Sequence, residues 1–224
     1  MAVGGLQAAA PPNYDESKVG NLPLPDPLVR ADGIAVGDAQ AWREKRRPEL
    51  LELFAREVYG RTPSGRPAGM RWKTTSVDRA ALGGKATRKE ITVWFTARDD
   101  GPRMHLLVYQ PAGPGGPWPA FLGLNYFGNS SVHADPGIAI SPAWMRASPE
   151  QKIENNRATA AARGAHSGRW DIETVIARGY ATVTLYYGDL CPDRDDGMEE
   201  SVGAMFGSGS VNRRPPHGWG SIGI

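Results

Sequence analysis

The sequence has almost no cysteine and no long hydrophobic run. Cys191 is the only cysteine among the 224 residues, so the chain can form neither an intramolecular disulfide nor a cysteine-rich zinc cluster. The most apolar stretch, residues 120–126, is much shorter than the roughly 18–20 residues that a membrane-spanning helix requires. We therefore expect a soluble protein with no membrane partner.

The sequence also has no large excess of one charge and no histidine spacing typical of a metal site. The 26 basic and 24 acidic residues give a net charge of +2, which is too small to indicate a nucleic-acid partner. The four histidines follow no metal-binding spacing such as H-E-x-x-H. We expect neither nucleic acid nor a bound metal.

Glycine and proline are abundant, with 28 and 19 residues, and 40% of the chain is hydrophobic. This composition is typical of a turn-rich globular protein with a packed core, and the length fits one domain over residues 13–224. Two interpretations stay open for residues 1–12. They are the remnant of a signal peptide, because Ala8-x-Ala10 resembles a cleavage site, or a disordered N-terminus.

The sequence predicts two helices before the first strands. Asp38 is a candidate N-cap for a helix over residues 39–46, and Pro48 suits the first turn of a second helix, in which Leu50, Phe54 and Val58 recur at four-residue spacing before Gly60. We expect this amphipathic helix to pack on a core.

The rest of the pattern predicts an α/β fold with an antiparallel start. Alternating or continuous apolar residues predict strands, and the expected segments are 70–76, 91–96, 106–109, 120–126 and 180–187. The strand at 120–126 is expected to be central. A helix at 169–178 would make a βαβ unit, so strands 120–126 and 180–187 should be parallel.

Asn125, Phe127 and Asn129 leave the end of a predicted strand and are the candidate substrate-binding residues. Ligands gather outside the carboxyl ends of strands in open α/β sheets, so this segment could form a pocket wall. The alternative is that Gly128 and Asn129 only turn the chain.

A catalytic serine is not evident. Ser131, His133 and Asp135 are close in sequence, but triads are assembled in space from separate loops, so these residues indicate an ordinary polar loop. The nucleophile motif G-x-S-x-G does not occur, and the nearest text, residues 207–211, lacks the final glycine.

Several segments taken together resemble the N-terminal half of the glucuronoyl esterases. They are Asn13-Tyr14-Asp15-Glu16-Ser17, Leu24-Pro25-Asp26-Pro27-Leu28, Arg46-Arg47-Pro48-Glu49, Glu57-Val58-Tyr59-Gly60, Asn125-Tyr126-Phe127-Gly128-Asn129, Arg169-Trp170, Tyr186-Tyr187-Gly188-Asp189 and Trp219-Gly220-Ser221-Ile222-Gly223. The resemblance implies the three-layer α/β-hydrolase sandwich. It also implies a serine-type carbohydrate esterase for lignocellulose degradation, which cleaves the ester between (4-O-methyl-)glucuronic acid of glucuronoxylan and lignin alcohols without a metal or another cofactor.

The family's serine motif, G-C-S-R-x-G-K, is missing from the sequence. In the family's order it would follow the last matching segment, so we expect a fragment truncated before the nucleophile strand, without catalytic serine, acid or histidine. Its partner would be the missing C-terminal half of the same domain. Arg169 and Asp189 match the family as well, but either could instead form a buried ion pair.

Two other functions stay open. The first is a non-catalytic carbohydrate-binding protein or pseudoenzyme that keeps the scaffold, and the second is a hydrolase that uses Ser131. Whether the chain is an enzyme is therefore left undecided by the sequence. The resemblance implies a secreted or periplasmic protein.

Overall fold

The structure, a computed structural model, describes residues 13–206. The expectations for residues 1–12 and for the text after residue 206, including the segments 207–211 and 219–223, lie outside the described residues. The chain divides into two compact units, one ending at Glu52 and one beginning at Leu53.

The first unit holds an extended segment and the start of a helix. The Asp38 carboxylate caps this helix by accepting a hydrogen bond from the Ala41 N–H at 2.7 Å. Helical structure then runs through α1 (Ala39–Ala41), a π-helical turn (Trp42–Arg46), α2 (Arg47–Phe54) and a second π-helical turn (Ala55–Tyr59). The helical residues and the stop at Gly60, with a φ of 78°, are as predicted, but the two expected helices form one continuous run because Pro48 lies within α2.

Arg46 fastens the extended segment to the helix within the first unit. Its Nε donates to the Pro27 carbonyl at 3.0 Å, and its Nη1 lies 3.0 Å from Glu49 Oε2. Glu49 Oε2 also accepts from the Ala31 N–H at 3.3 Å. Because Arg46 is buried, these bonds replace the water that its guanidinium loses.

The apolar face of this helix is less covered than its pattern predicts. Leu51, Phe54 and Val58 are 53%, 47% and 45% exposed. The helical periodicity is confirmed, but burial of the whole stripe on a core is not observed.

The second unit is built on a five-stranded mixed sheet. Its strands and a small separate hairpin are β1 (Arg71–Ala81), β2 (Ala86–Trp94), β3 (Arg103–Pro111), β4 (Ala120–Asn125), β5 (Ile153–Glu154), β6 (Arg157–Ala158) and β7 (Ala181–Tyr186). The order in the main sheet is β1-β2-β3-β7-β4, and β5 and β6 form a separate two-stranded sheet. The antiparallel start is confirmed, since β1, β2 and β3 pair antiparallel.

Strand β4 pairs parallel to β7, as the βαβ pattern predicts. It lies at the edge of the sheet within residues 13–206, however, and not in the centre. Phe121 and Leu122 are accordingly 60% and 70% exposed. The central position expected for this strand is therefore not found in the described residues.

The connection between β4 and β7 carries two short helices. They are α3 (Ser167–Trp170) and α4 (Ile172–Ala177), separated by Asp171 in a left-handed conformation with φ 32°. One continuous helix was expected at 169–178, and Asp171 interrupts it. A further helix, α5 (Gly197–Glu200), follows β7, and none of the helices within residues 13–206 is long and apolar enough to cross a membrane.

The main core lies between the sheet and α4. Leu107 and Tyr109 of β3 pack there with Val132, Ile172 and Ile176, all buried. On the same side Gly123 admits Trp170, because a Cβ at Gly123 would lie only 3.1 Å from the indole ring. This packing fixes where the chain leaves β4 and where it enters α3.

Candidate functional site

A cleft lies where β4 and β7 end. Asn125 is opposite Tyr186 in the parallel register, so the residues after both strands leave the sheet side by side. Most of the residues that line the cleft come from these two exits and from the connection between the strands. Among them are Tyr126, Phe127, Arg146, His166, Arg169 and Tyr187. Its volume is about 390 Å³, which is in the range of small-molecule sites.

A second cavity of about 190 Å³ adjoins the first. The two share Tyr126, Phe127, His166 and Arg169 as lining residues, and Trp170 belongs to the second alone. The shared residues therefore lie where the two cavities meet.

Aromatic rings form much of the cleft wall. Tyr126 is 66% exposed, and its ring centroid lies 5.2 Å from that of Tyr187. Phe127 and His166 stack with their centroids 4.3 Å apart and their planes inclined by 12°. The cleft thus presents an apolar, flat surface with polar tips, to which rings of a ligand can bind.

The charges in the cleft do not cancel. Arg146 lies 4.0 Å from Asp193, which also accepts a hydrogen bond from the Tyr187 hydroxyl at 3.1 Å. Arg169 is exposed to the cleft, and within residues 13–206 it has no carboxylate partner. One positive charge is left over, and it favours an anionic ligand.

His166 stays neutral near pH 7. Burial lowers the pKa of His166, and the nearby positive charge of Arg169 lowers it further. Its Nε2 is buried without a hydrogen-bond partner among the described residues. The hydrogen-bonding capacity of this buried nitrogen is therefore unused within residues 13–206.

The three candidate substrate-binding residues have different environments. Phe127 lines both cavities, and Asn125 lines only the smaller of the two. Asn125 Nδ2 donates to Asn129 Oδ1 at 2.8 Å, and Asn129 Nδ2 donates to the His105 carbonyl at 2.8 Å. Both amides are buried and connect β4 to β3, whereas only Phe127 lies in the larger cleft; their binding role stays a prediction.

Ser131, His133 and Asp135 do not form a triad. The Ser131 hydroxyl is buried and donates to the Gly128 carbonyl at 2.7 Å. His133 Nδ1 accepts from the Asp135 N–H at 3.0 Å, so it is not directed at the serine. The interpretation of these residues as a polar loop agrees with this geometry.

Asp135 anchors this loop to the sheet. Its Oδ2 accepts hydrogen bonds from Arg88 Nη1 and from the Tyr109 hydroxyl, both at 2.6 Å. Burial opposes ionisation of the carboxyl, but the hydrogen bonds from Tyr109 and Arg88 outweigh it and lower the pKa of Asp135. Arg163 donates to the Asp135 and Ile138 carbonyls at 2.8 and 2.9 Å, which holds the end of the loop that precedes His166.

Asp189 is a half-buried residue that follows β7. Its Oδ2 accepts from the His105 N–H at 2.9 Å, and burial raises the pKa of Asp189 to about 7. It lines a separate cavity of about 120 Å³ together with Glu90 and His105. Neither it nor Arg169 forms the buried ion pair that the sequence left open, and residues 13–206 contain no cluster of three or more histidine, cysteine or carboxylate side chains suited to a metal.

Arg146, His166 and Tyr187 are cleft residues that the sequence did not single out as binding residues, and Tyr187 entered only within a segment that matches the family. They come from irregular segments and from the exit of β7, where no periodic pattern marks the facing side. The only available signal was the length of the connection between β4 and β7, since long loops in compact domains are often functional.

No protein-family model matches the chain. Carbohydrate esterase MZ0003, from an unknown prokaryotic organism, is 42% identical over 181 residues, which are 81% of this chain and 41% of that protein.

Two solved structures share the fold. The glucuronoyl esterase from Solibacter usitatus is 37% identical with a TM-score of 0.79, over 92% of this chain and 51% of that one. A promiscuous CE15 esterase from a marine bacterial metagenome is 39% identical with a TM-score of 0.76, over 94% and 52%.

The chain thus spans about half the length of these relatives. The resemblance to glucuronoyl esterases that the sequence indicated is confirmed over about half the length of these relatives. The α/β-hydrolase fold class is confirmed as well. Sequence and fold together show that this chain is a relative of the glucuronoyl esterases within the α/β-hydrolase superfamily.

Proposed function

We propose that this chain is part of a carboxylic ester hydrolase that cleaves the ester between (4-O-methyl-)glucuronic acid of glucuronoxylan and lignin alcohols. The observation that carries the proposal is the fold match to the Solibacter usitatus glucuronoyl esterase over 92% of the chain at 37% identity. The cleft at the carboxyl ends of β4 and β7 supports it, because this is where open α/β sheets bind ligands.

The proposed chemistry is acyl transfer by an activated serine. Within residues 13–206 no serine hydroxyl or cysteine thiol is hydrogen-bonded to a histidine side chain. The proposal therefore assigns the serine, the histidine and the acid to a further segment of the same domain, and it assigns the sheet and one wall of the cleft to this chain.

Strand β4 offers a place for such a segment. Its outer edge is unpaired in the described part of the chain, and Leu122 and Leu124 on one face are 70% and 47% exposed. An unpaired apolar strand edge is a template for another strand. A secreted or periplasmic location belongs to the same proposal, since a plant cell-wall polymer is too large to enter a cell.

Hydrolysis of benzyl glucuronate tests the proposal. We expect no turnover by the 224-residue chain alone, and turnover when it is produced together with a segment that carries G-x-S-R-x-G-K and completes the sheet. Turnover by the isolated chain would contradict the assignment of the serine to another segment. Binding of glucuronoxylan by an inactive, completed protein would instead favour the non-catalytic alternative.

A further inference from the structure

The junction of the two cavities combines a ring platform with a positive charge that has no carboxylate partner within residues 13–206. Tyr126, at 66% exposure, is the accessible ring, because Phe127 is already stacked on His166. Arg169 lines both cavities beside it. Tyr126 and Arg169 thus both line the two cavities in which a ligand could lie.

Among the described cleft residues, the charge of Arg169 is the one that no carboxylate neutralises. Arg146 is opposed by Asp193, and Asp193 is further bound by the Tyr187 hydroxyl. His166 adds no charge near neutral pH, but its buried Nε2 lacks a partner in the described structure. An anion with additional hydroxyl groups would satisfy both the guanidinium and this nitrogen.

We propose that Arg169 and Tyr126 form a subsite for a sugar acid with a free carboxylate, the ring lying on Tyr126 and the carboxylate pairing with Arg169. The proposal rests on the proposed function, which identifies the ligand as a uronic acid. The subsite goes beyond the proposed function, because the ester substrate of that function carries no carboxylate charge on its esterified uronic acid. The subsite would hold a neighbouring free uronate of the polymer or the acid that hydrolysis releases.

Equilibrium titration of the full chain distinguishes charge recognition from ring binding. The probes are sodium glucuronate and glucuronamide, which share the ring but differ in charge, and both are stable to an esterase. We expect glucuronate to bind about three- to tenfold more tightly than glucuronamide, and added salt to reduce this preference. Absence of glucuronate binding up to about 20 mM would overturn the proposal, since a Kd of about 1 mM would by then saturate the site.

Three variants assign the preference to residues. Arg169→Gln should abolish the preference for glucuronate, and Arg169→Lys should keep part of it. Tyr126→Ala should weaken both probes by a similar factor. Arg178→Gln removes an exposed arginine at the end of α4 and is the matched control, which should bind like the parent chain. A preference that survives Arg169→Gln would overturn the proposal.

The titration does not measure hydrolysis, so the two proposals can fail separately. Ester turnover by the completed protein, together with an unchanged preference in Arg169→Gln, would overturn the subsite alone. A preference lost in Arg169→Gln, together with no turnover by the completed protein, would support the subsite and overturn the esterase function.

Discussion

Asp135 is the residue whose replacement should most clearly disrupt the frame of the cleft. Its side chain is 13% exposed, that of Arg88 is 7% exposed, and both close contacts to Oδ2 measure 2.6 Å. Oδ1 accepts from the Gly137 N–H at 2.8 Å. In Asp135→Asn, either orientation of the amide therefore turns its NH₂ group toward another donor.

The expected loss in the free energy of unfolding follows from the donors, Arg88 and Tyr109, that this substitution leaves buried without a carboxylate. Charged hydrogen bonds contribute about 1.5–3 kcal/mol, and breaking a buried ion pair costs about 3–5 kcal/mol. Because the amide keeps one acceptor, we expect Asp135→Asn to lower the free energy of unfolding by about 2–4 kcal/mol at pH 7. At an m-value of about 2 kcal/mol/M, the urea midpoint would fall by about 1–2 M.

The assay is urea unfolding followed by tryptophan fluorescence. Asp100→Asn is the matched control, since the Arg98–Asp100 pair is 76% and 70% exposed and its loss should have little effect on the free energy of unfolding. The lowered pKa of Asp135 means that its contribution is complete above the unfolded value of about 3.9 and is lost as the pH falls through the folded value. The difference between parent and variant should therefore narrow below pH 4.

A loss in Asp135→Asn no larger than that in the Asp100→Asn control would refute this reasoning. So would a difference that grows on acidification. An additive double variant with Arg88→Met would also count against it, because partners in one buried network couple.

Three further predictions concern other parts of the second unit. The pKa of Asp189 is about 7 in the folded chain and about 3.9 in the unfolded chain, so the contribution of its protonated carboxyl to stability is lost as the pH rises from 4 to 7. Asp189→Asn should therefore have a higher melting temperature than the parent chain at pH 8, and the difference in melting temperature should close at pH 4. Gly123→Val should cost about 1–3 kcal/mol by collision with Trp170, whereas Gly168→Ala, with nothing within 4 Å, should be nearly neutral in the same thermal melts. Leu122→Lys should reduce self-association in sedimentation velocity without lowering the melting temperature, and unchanged association would exclude the β4 edge as its cause.

The sheet could be predicted from the sequence because its signals are local. Alternation marks β2, where Val93 is buried and Trp94 faces Arg71 across the pair. The apolar run before Asn125 marks β4, and the helical text between the strands implies their parallel pairing. Whether β4 lies at the edge or in the centre of the sheet cannot be predicted from local sequence, since it depends on which other strands are present.

The cleft was less accessible to sequence reasoning. Asn125 and Asn129 lie at the end of β4 where a ligand site is expected. The sequence does not show, however, that each side-chain amide donates its hydrogen bond to a neighbouring strand or turn. Arg169 was recognised only as a match to the family. Its exposure depends on Asp171, whose left-handed conformation breaks the helix and which has no distinctive sequence pattern.

The parallel pairing of β4 with β7 has a consequence for the order of folding. The β1–β2–β3 meander joins neighbours in the chain, whereas β7 must pair with β4 across the whole connection that carries the cleft residues. Contacts between distant residues form late, because the entropy of closing the loop is lost before the pairing compensates for it. We therefore expect formation of the β4–β7 pairing to limit the refolding rate in stopped-flow experiments, and substitutions in that pairing to slow refolding more than substitutions in the meander.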